Sequence, residues 1–123
     1  MEYKKYIGST RWRRRRRRYF KKFGKFCAAC GSVTDVTLHH MTYETLGTER
    51  DDDLLALCVD HHKLLHKLYP RTCRENTLLF LVEYQDRETV RHMRSIWLDT
   101  DSRITASDSN AIVTNNADIV HAL

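Results

Sequence analysis

The first apolar residues of the chain recur at the spacing of an α-helix. Positions i, i+7, i+8 and i+11 lie on one helical face and are occupied by four aromatic residues: Trp12, Tyr19, Phe20 and Phe23. Ser9 or Thr10 is a suitable N-cap, and Gly24 is placed to end the element. The pattern predicts a helix from Ser9 or Thr10 to about Phe23. We expect its aromatic face to pack into the core, with stacking on nucleic-acid bases as the alternative.

The middle of the chain reads as a strand, a loop, a short apolar segment and a helix. Residues 33–43 are rich in β-branched and aromatic types, which favours a strand. A polar loop follows through Gly47 to Asp53, and Leu54–Cys58 is the short apolar segment. From about Asp60 to Tyr69 the leucine spacing predicts a helix, which Pro70 ends.

The last periodic segment is residues 77–98, which predict one long helix. Five apolar residues fall near one face of such a helix: Leu79, Val82, Val90, Met93 and Trp97. The run Leu78–Val82 is the alternative, a strand. From Asp99 the chain has no aromatic residue and is dominated by Ser, Thr, Asn and Asp, so residues 99–123 are expected to form a disordered tail or at best a short marginal helix.

The 123 residues are enough for one domain of ordinary size. The predicted elements divide it into a basic helical segment (1–26), a core (27–70), a helical extension (71–98) and the tail (99–123). No apolar run approaches the roughly 20 residues of a membrane helix, so no membrane partner is expected. The first five residues, Met-Glu-Tyr-Lys-Lys, lack the apolar stretch of a secretory signal. A cytoplasmic protein is the resulting expectation.

Charge is distributed very unevenly along the chain. Residues 1–26 contain 12 Lys and Arg and one acid, a net of +11, whereas residues 27–123 contain 9 Lys and Arg and 15 acids, a net of −6. A basic head of this kind is typical of proteins that bind a polyanion, most often nucleic acid, and guanidinium groups pair bidentately with phosphate. A solvated basic helix with no partner is the alternative. The predicted contacts are Arg11, Arg13, Arg14, Arg15, Arg16, Arg17, Arg18, Lys21 and Lys22.

Three of the four cysteines have metal-ligand spacing. Cys27-Ala-Ala-Cys30 is one two-residue-spaced pair, and Cys58-Val-Asp-His61 is a second pair 28 residues on. Tetrahedral zinc takes four such sulfur and nitrogen ligands, and in a cytoplasmic chain this pattern favours metal over disulfide. The sequence therefore predicts a structural zinc site, with reduced buried thiols as the alternative. Cys73 has no partner at ligand spacing and is predicted to be a spare thiol.

Four further histidines predict a second metal site. His39 and His40 are adjacent at the end of the predicted strand, so alternation turns them to different sides. His62 and His66 are spaced i,i+4 and lie on one face of the helix. Zinc at Cys58 and His61 would bring this helix close to the strand. The second site would then be an open one formed by His39, His62 and His66, with His40 as an unligated base beside it.

From about Cys27 to His66, with weaker similarity back to Tyr6, the chain resembles the HNH endonucleases of the ββα-metal class. The resemblance rests on Cys27-x-x-Cys30, Leu38-His39-His40-x-Thr42-Tyr43, Leu46-Gly47-x-Glu49, Asp53-Leu54, Leu57-Cys58 and His62-x-x-x-His66. Phage and bacterial members often carry a basic helix just before the first CxxC, as this chain does. Two positions depart from the family pattern: its middle asparagine, which braces the hairpin, is Asp53 here, and its fourth zinc ligand, commonly cysteine, is His61.

The resemblance implies an α+β fold, a ββα-metal core with a zinc knuckle, flanked by the N-terminal basic helix and a C-terminal helix. It implies hydrolysis of DNA phosphodiester bonds to 5′-phosphate and 3′-hydroxyl ends, in the cytoplasm of a bacterium or phage-infected host. His40 would be the general base, while His39, His62 and His66 would hold the catalytic divalent ion, which could be Mg²⁺, Mn²⁺, Ni²⁺ or Zn²⁺.

Two other functions compete with this interpretation. A zinc-bound nucleic-acid-binding module without catalysis is favoured only by the aspartate at position 53. A protein-interaction adaptor would use residues 77–98 as a dimer helix, so a homodimer is the corresponding expectation. Cleavage of DNA distinguishes the first alternative from the enzyme, and the mass in solution tests the second.

Overall fold

The computed structural model describes residues 2–100, and the chain is α+β with a small two-stranded antiparallel sheet and helices. In chain order the elements are α1 (Tyr3–Ile7), α2 (Thr10–Phe23), β1 (Val36–His40), a 3-10 turn (Asp51–Asp53), β2 (Leu54–Cys58), α3 (Val59–Leu68), α4 (Arg74–Tyr84) and α5 (Arg87–Thr100). None of the helices in this described part of the chain has the length and apolar character needed to cross a membrane.

The helix α2 confirms the prediction from its aromatic spacing. The Ser9 hydroxyl caps it by accepting a hydrogen bond from the Trp12 backbone N–H at 3.2 Å. Gly24 ends it with φ 90°, a conformation that favours glycine. Trp12, Tyr19 and Phe23 are buried, so the aromatic face packs into the core rather than being free to stack on bases.

The two strands form a hairpin whose two faces pack against different helices. β1 pairs with β2 from Val36 opposite Cys58 to His40 opposite Leu54. Because side chains alternate along a strand, each face receives every second residue. One face packs against α2 in a cluster with the strand residues Val36, Leu38, Leu54 and Ala56. The other face packs against α3 and α4, in a cluster with Leu55, Leu57, Leu65, Phe80 and Leu81.

The predicted strand is shorter than expected, and the predicted apolar segment is a second strand. The strand expected over residues 33–43 is limited to Val36–His40, since Asp35 has φ 50° and lies in a bend, and Val33 is 64% exposed. The apolar segment Leu54–Cys58 is the second strand, and all five of its residues are buried.

The prediction of one long helix over residues 77–98 is wrong. α4 ends at Tyr84 and α5 begins at Arg87, because Asp86 caps the new helix by accepting from the Thr89 backbone N–H at 3.1 Å. The Asp86 backbone N–H also donates to the Ala29 carbonyl at 2.8 Å, which holds the break against the cysteine-containing turn. The alternative of a strand at Leu78–Val82 is wrong as well, since that run lies within α4.

The interruption changes which residues of this region face the core. Leu79 is 53% and Val82 is 58% exposed, whereas Phe80 and Leu81 are buried. Val90 in α5 is buried as expected. The predicted tail (99–123) overlaps α5 at its first two residues, and the rest of it lies outside the described residues.

Candidate metal centres

The predicted zinc ligands converge at one end of the hairpin. Cys27 and Cys30 lie in the turn before β1, Cys58 is the last residue of β2, and His61 lies in the first turn of α3. The Ala28 backbone N–H donates to the Ala56 carbonyl at 2.8 Å, which ties the cysteine turn to β2. The four ligand atoms all lie within 4.8 Å of one another, so the cluster could hold a metal ion. Cys73 does not belong to it.

Distances within this cluster suit tetrahedral zinc. The two sulfurs of Cys30 and Cys58 are 4.0 Å apart, and His61 Nδ1 lies 3.2 Å from the Cys58 sulfur and 3.8 Å from that of Cys27. A tetrahedral zinc ion with ordinary bond lengths places two sulfurs about 3.8 Å apart and a sulfur and nitrogen about 3.6 Å apart. The two sulfur–nitrogen distances bracket the second value, and the sulfur–sulfur distance is about 0.2 Å longer than the first. Sulfur and imidazole donors together form a ligand set that zinc accepts.

The second predicted group also assembles. His39 at the end of β1 faces His62 and His66 on α3, and the three ligand nitrogens lie within 4.8 Å of one another. The closest pair is His39 Nδ1 and His62 Nε2, 3.3 Å apart. Two nitrogen ligands of a tetrahedral ion lie about 3.4 Å apart, so this spacing fits a shared ion.

Burial favours the neutral form of two of these histidines, His39 and His62. It lowers the pKa of His39 well below the usual 6.5, and the neighbouring His62 and His66 lower that pKa further. Burial also lowers the pKa of His62 to about 4, with a further contribution from His66. A neutral imidazole offers a lone pair to a metal ion, whereas a protonated one does not. Burial of His39 and His62 therefore favours the form of each ring that can bind a cation.

His40 points to the opposite face of the hairpin, as alternation predicts. Its ring stacks on Trp12 with the centroids 4.4 Å apart, and its Nε2 lies 2.8 Å from Glu49 Oε2. The other Glu49 oxygen accepts from the Tyr6 hydroxyl at 2.7 Å. Burial lowers the pKa of His40 despite the nearby Glu49 carboxylate, which acts to raise that pKa. His40 is thus a neutral imidazole with one nitrogen engaged by a buried acid.

Glu49 is a site residue that the sequence did not single out. It stood in the quoted pattern Leu46-Gly47-x-Glu49, but a glutamate in a polar loop carries no signal of its own for a buried partner. Its side chain is 1% exposed in the structure. Only the folded hairpin brings it next to His40, nine residues earlier in the chain.

Asp53 holds the two ends of the hairpin loop together. One carboxylate oxygen accepts from the Thr45 hydroxyl at 3.0 Å and from the Arg50 backbone N–H at 2.9 Å. The other accepts from Arg74 of α4 at 2.8 Å. Its backbone carbonyl accepts from the Met41 N–H at 2.8 Å. An aspartate at this position therefore supplies a brace across the loop.

The basic residues of α2 divide into exposed and buried members. Arg15 is 6% exposed, with its guanidinium paired to Asp51 at 2.7 Å and its Nε donating to the Glu49 carbonyl. Lys22 also pairs with Asp51, at 2.7 Å. Arg11 donates to the Gly47 carbonyl. Two of the three guanidinium nitrogens of Arg15 are thus bound to the hairpin loop.

Two clefts run along the arginines of α2. One, of about 490 Å³, lies between α2 and the hairpin loop and is lined by Arg11, Arg14, Arg18, Gly47 and Thr48 among others. The other, of about 590 Å³, is lined by Arg13, Arg16, Arg17, Phe20, Lys21 and Lys25. Both present guanidinium or ammonium groups to solvent, which suits a polyanion.

Comparisons of the chain with protein-family models, with curated proteins and with solved structures find no match.

Proposed function

We propose that this protein is a metal-dependent endonuclease of the HNH type that hydrolyses DNA phosphodiester bonds. The observation that carries the proposal is that two adjacent histidines at the end of β1 have different partners on the two faces of the hairpin. His39 joins a three-histidine group on one face of the hairpin, and the next residue, His40, is held by a buried carboxylate on the other. An ion-binding group and an oriented neutral base on consecutive residues are the components that such hydrolysis requires.

In this proposal His39, His62 and His66 hold a divalent ion. When bound, the ion would stabilise the negative charge that develops on a phosphate oxygen and on the leaving 3′ oxygen. The neutral imidazoles are suited to Ni²⁺ or Zn²⁺, while Mg²⁺ prefers oxygen ligands, so the activity is expected to depend on the ion supplied.

His40 is the proposed general base, and its hydrogen bonding specifies which nitrogen acts. A carboxylate only accepts hydrogen bonds, so the Nε2 of His40 must carry the proton that it shares with Glu49. The lone pair is then on Nδ1, which would take the proton from the attacking water. Tyr6 stays protonated as the second donor to Glu49, because burial and that hydrogen bond raise its pKa to about 12.

The exposed arginines of α2 are proposed to bind the DNA backbone. They would contact phosphates and position the duplex without reading its sequence. The four-ligand zinc site is proposed to be structural, since its ligands come from the cysteine turn, β2 and α3 and would hold these three elements in one arrangement.

A second candidate is a zinc-bound nucleic-acid-binding module without catalysis, and one observation favours it. His40 is only 3% exposed, with Trp12 stacked on it and with Tyr3 and Tyr43 each in ring contact at 6.1 Å. Little of the His40 ring is therefore open to the attacking water in this arrangement. The two candidates share DNA binding and zinc, and they differ in cleavage.

Plasmid cleavage with Mg²⁺, Mn²⁺ and Ni²⁺, with and without chelator, decides between them. Wild type should cut, and His40→Ala should keep its zinc and its DNA affinity while cleavage falls about 10²–10⁴-fold. His62→Ala should also lose cleavage, but excess divalent ion should partly restore it, because only metal affinity is reduced. Excess ion should not restore His40→Ala.

His92→Ala provides the matched control, since His92 is an exposed histidine on α5 outside both metal groups. It should cut like wild type. Wild-type protein that is zinc-loaded and binds DNA, yet cuts nothing with any of the three ions, would establish the binding module instead.

A further inference from the structure

Two histidines of the three-histidine group each have a threonine hydroxyl on the nitrogen that faces away from the group. His62 Nδ1 lies 2.9 Å from Thr37 Oγ1, and His39 Nε2 lies 3.0 Å from Thr77 Oγ1. The opposite nitrogens, His62 Nε2 and His39 Nδ1, face each other at 3.3 Å. The threonines therefore occupy the positions from which a neighbour decides which ring nitrogen carries the proton.

The Thr37 hydroxyl has one proton and uses it elsewhere. It donates to the Leu57 carbonyl on the paired strand at 2.8 Å. Its oxygen can then only accept from the imidazole, so Nδ1 of His62 must be the protonated nitrogen. This leaves the lone pair of His62 on Nε2, the nitrogen that faces His39.

Thr77 is placed to act on His39 in the same way. It is 1% exposed, and the Cys73 carbonyl one helical turn earlier lies 3.5 Å from its hydroxyl, a longer contact than that of Thr37 with Leu57. When the hydroxyl donates to this carbonyl, its oxygen accepts from Nε2 of His39, and the lone pair is left on Nδ1. Two lone pairs then face each other across 3.3 Å, an arrangement that repels unless a cation lies between them.

We propose that Thr37 and Thr77 are positioning residues that fix His39 and His62 in the tautomers needed to bind a divalent ion. The inference rests on the ion site of the proposed function. It gives α4 a part in that site, because Thr77 lies on this helix and so does Arg74, whose guanidinium contacts the loop brace Asp53. The metal group is therefore incomplete without a helix outside the 27–70 segment that carries the ligands.

Zinc binding to the full chain tests the proposal. A chain that already holds one equivalent of Zn²⁺ at the cysteine site is titrated with a second equivalent by calorimetry. Thr37→Val and Thr77→Val keep the shape of the side chain and remove the hydroxyl, so each should weaken the second site about 10–100-fold. Thr37→Ser and Thr77→Ser retain the hydroxyl and should bind nearly as wild type does. Thr34→Val, at an exposed threonine before β1, is the control and should change nothing.

Long-range proton–nitrogen NMR of the zinc-saturated wild type reads the tautomers directly. The proton should lie on Nε2 of His39 and on Nδ1 of His62, a pattern that a merely structural threonine would not determine. A second zinc ion bound with the opposite nitrogens protonated, or with unchanged affinity in both valine variants, would overturn this inference alone. Absence of a second zinc ion would overturn it together with the proposed ion site. A second ion bound as described, in a protein that cuts no DNA, would support the inference and refute the nuclease.

Discussion

Glu49→Gln removes a charge from the buried network around His40 and changes its shape very little. The carboxylate accepts from the Tyr6 hydroxyl at 2.7 Å and from His40 Nε2 at 2.8 Å, and its side chain is 1% exposed. Glutamine can still accept from Tyr6, but its amide group faces His40 as a donor. His40 would satisfy that donor by moving its proton from Nε2 to Nδ1, the nitrogen proposed to act as the base.

The substitution should therefore affect catalysis far more than stability. Both hydrogen bonds can be remade, so the free energy of unfolding should fall by about 1–2 kcal/mol, the difference between hydrogen bonds to a charged and to a neutral acceptor. Cleavage should fall by about 10⁴-fold, as happens when an amide replaces the carboxylate behind a catalytic histidine and selects the wrong tautomer. Such a gap between the two losses indicates a residue that orients the base.

Single-turnover cleavage of DNA, read together with thermal unfolding, zinc content and DNA affinity, measures these quantities. Glu44→Gln is the matched control, because Glu44 is an exposed glutamate in the same loop and should cut like wild type. Undiminished cleavage by Glu49→Gln would refute the role of Glu49. A loss of cleavage that only follows lost folding or lost DNA binding would refute it equally.

Three further predictions concern the zinc site, the histidine group and the basic helix. Cys58→Ser should unfold or aggregate the protein, because structural zinc can supply roughly 10–16 kcal/mol of apparent folding energy and the total stability of a domain is typically about 5–15 kcal/mol. A normal melting curve for this variant would contradict the zinc assignment. Cys73→Ser is the control and should melt as wild type does. The pKa of His62 is lowered to about 4, so a chain with zinc at the cysteine site and no ion at the histidine site binds a proton there at a higher pH when unfolded than when folded. The stability of this chain should be greatest above pH 6.5 and should fall as the pH decreases towards 4. Thermal unfolding measured across this range should show a smaller decrease for His62→Gln than for wild type. If about five arginines contact phosphates, the slope of log DNA affinity against log salt concentration should be about −4 to −5. This slope should become flatter when four exposed arginines are replaced by glutamine. Arg15→Gln should instead reduce the stability of the fold. The four arginines to be replaced are Arg13, Arg14, Arg17 and Arg18, all of which are exposed.

The features that could be predicted from the sequence depend on short-range spacing. The cap and the end of α2 follow from Ser9 and Gly24, and the aromatic face follows from the helical period. Both metal groups likewise follow from local geometry: two-residue-spaced pairs form one, and an i,i+4 pair with one strand-end histidine forms the other. In each case neighbours in the chain determine where the side chain points.

The features that were missed depend on partners far along the chain. The break between α4 and α5 depends on Asp86, whose backbone bonds to Ala29 across the fold. A periodic pattern read through this break assigns Leu79 and Val82 to the buried face, although they are exposed. Thr77 was missed for the same reason, since nothing within its own helix indicates a contact with His39, 38 residues earlier.

Three acidic residues at alternate positions of the hairpin loop connect the basic helix α2 to the candidate site. Glu49 holds His40, Asp51 pairs with Arg15 and Lys22, and Asp53 braces the loop. Burial alone would raise the pKa of Asp51, but the two cations hold it below its usual value, so the carboxylate is charged at neutral pH and keeps both partners.

Arg15 extends this connection by donating to the backbone carbonyl of Glu49, the residue that orients His40. Part of the acidic excess of residues 27–123 therefore anchors the arginine-rich helix α2, in addition to balancing its charge. Because Asp51, which anchors the helix, and Glu49, which holds His40, lie in the same loop, the arginine-lined cleft beside Gly47 adjoins the segment that holds His40. In the proposed enzyme, a phosphate bound in that cleft would place the neighbouring part of the DNA backbone close to this loop and its contact with the base.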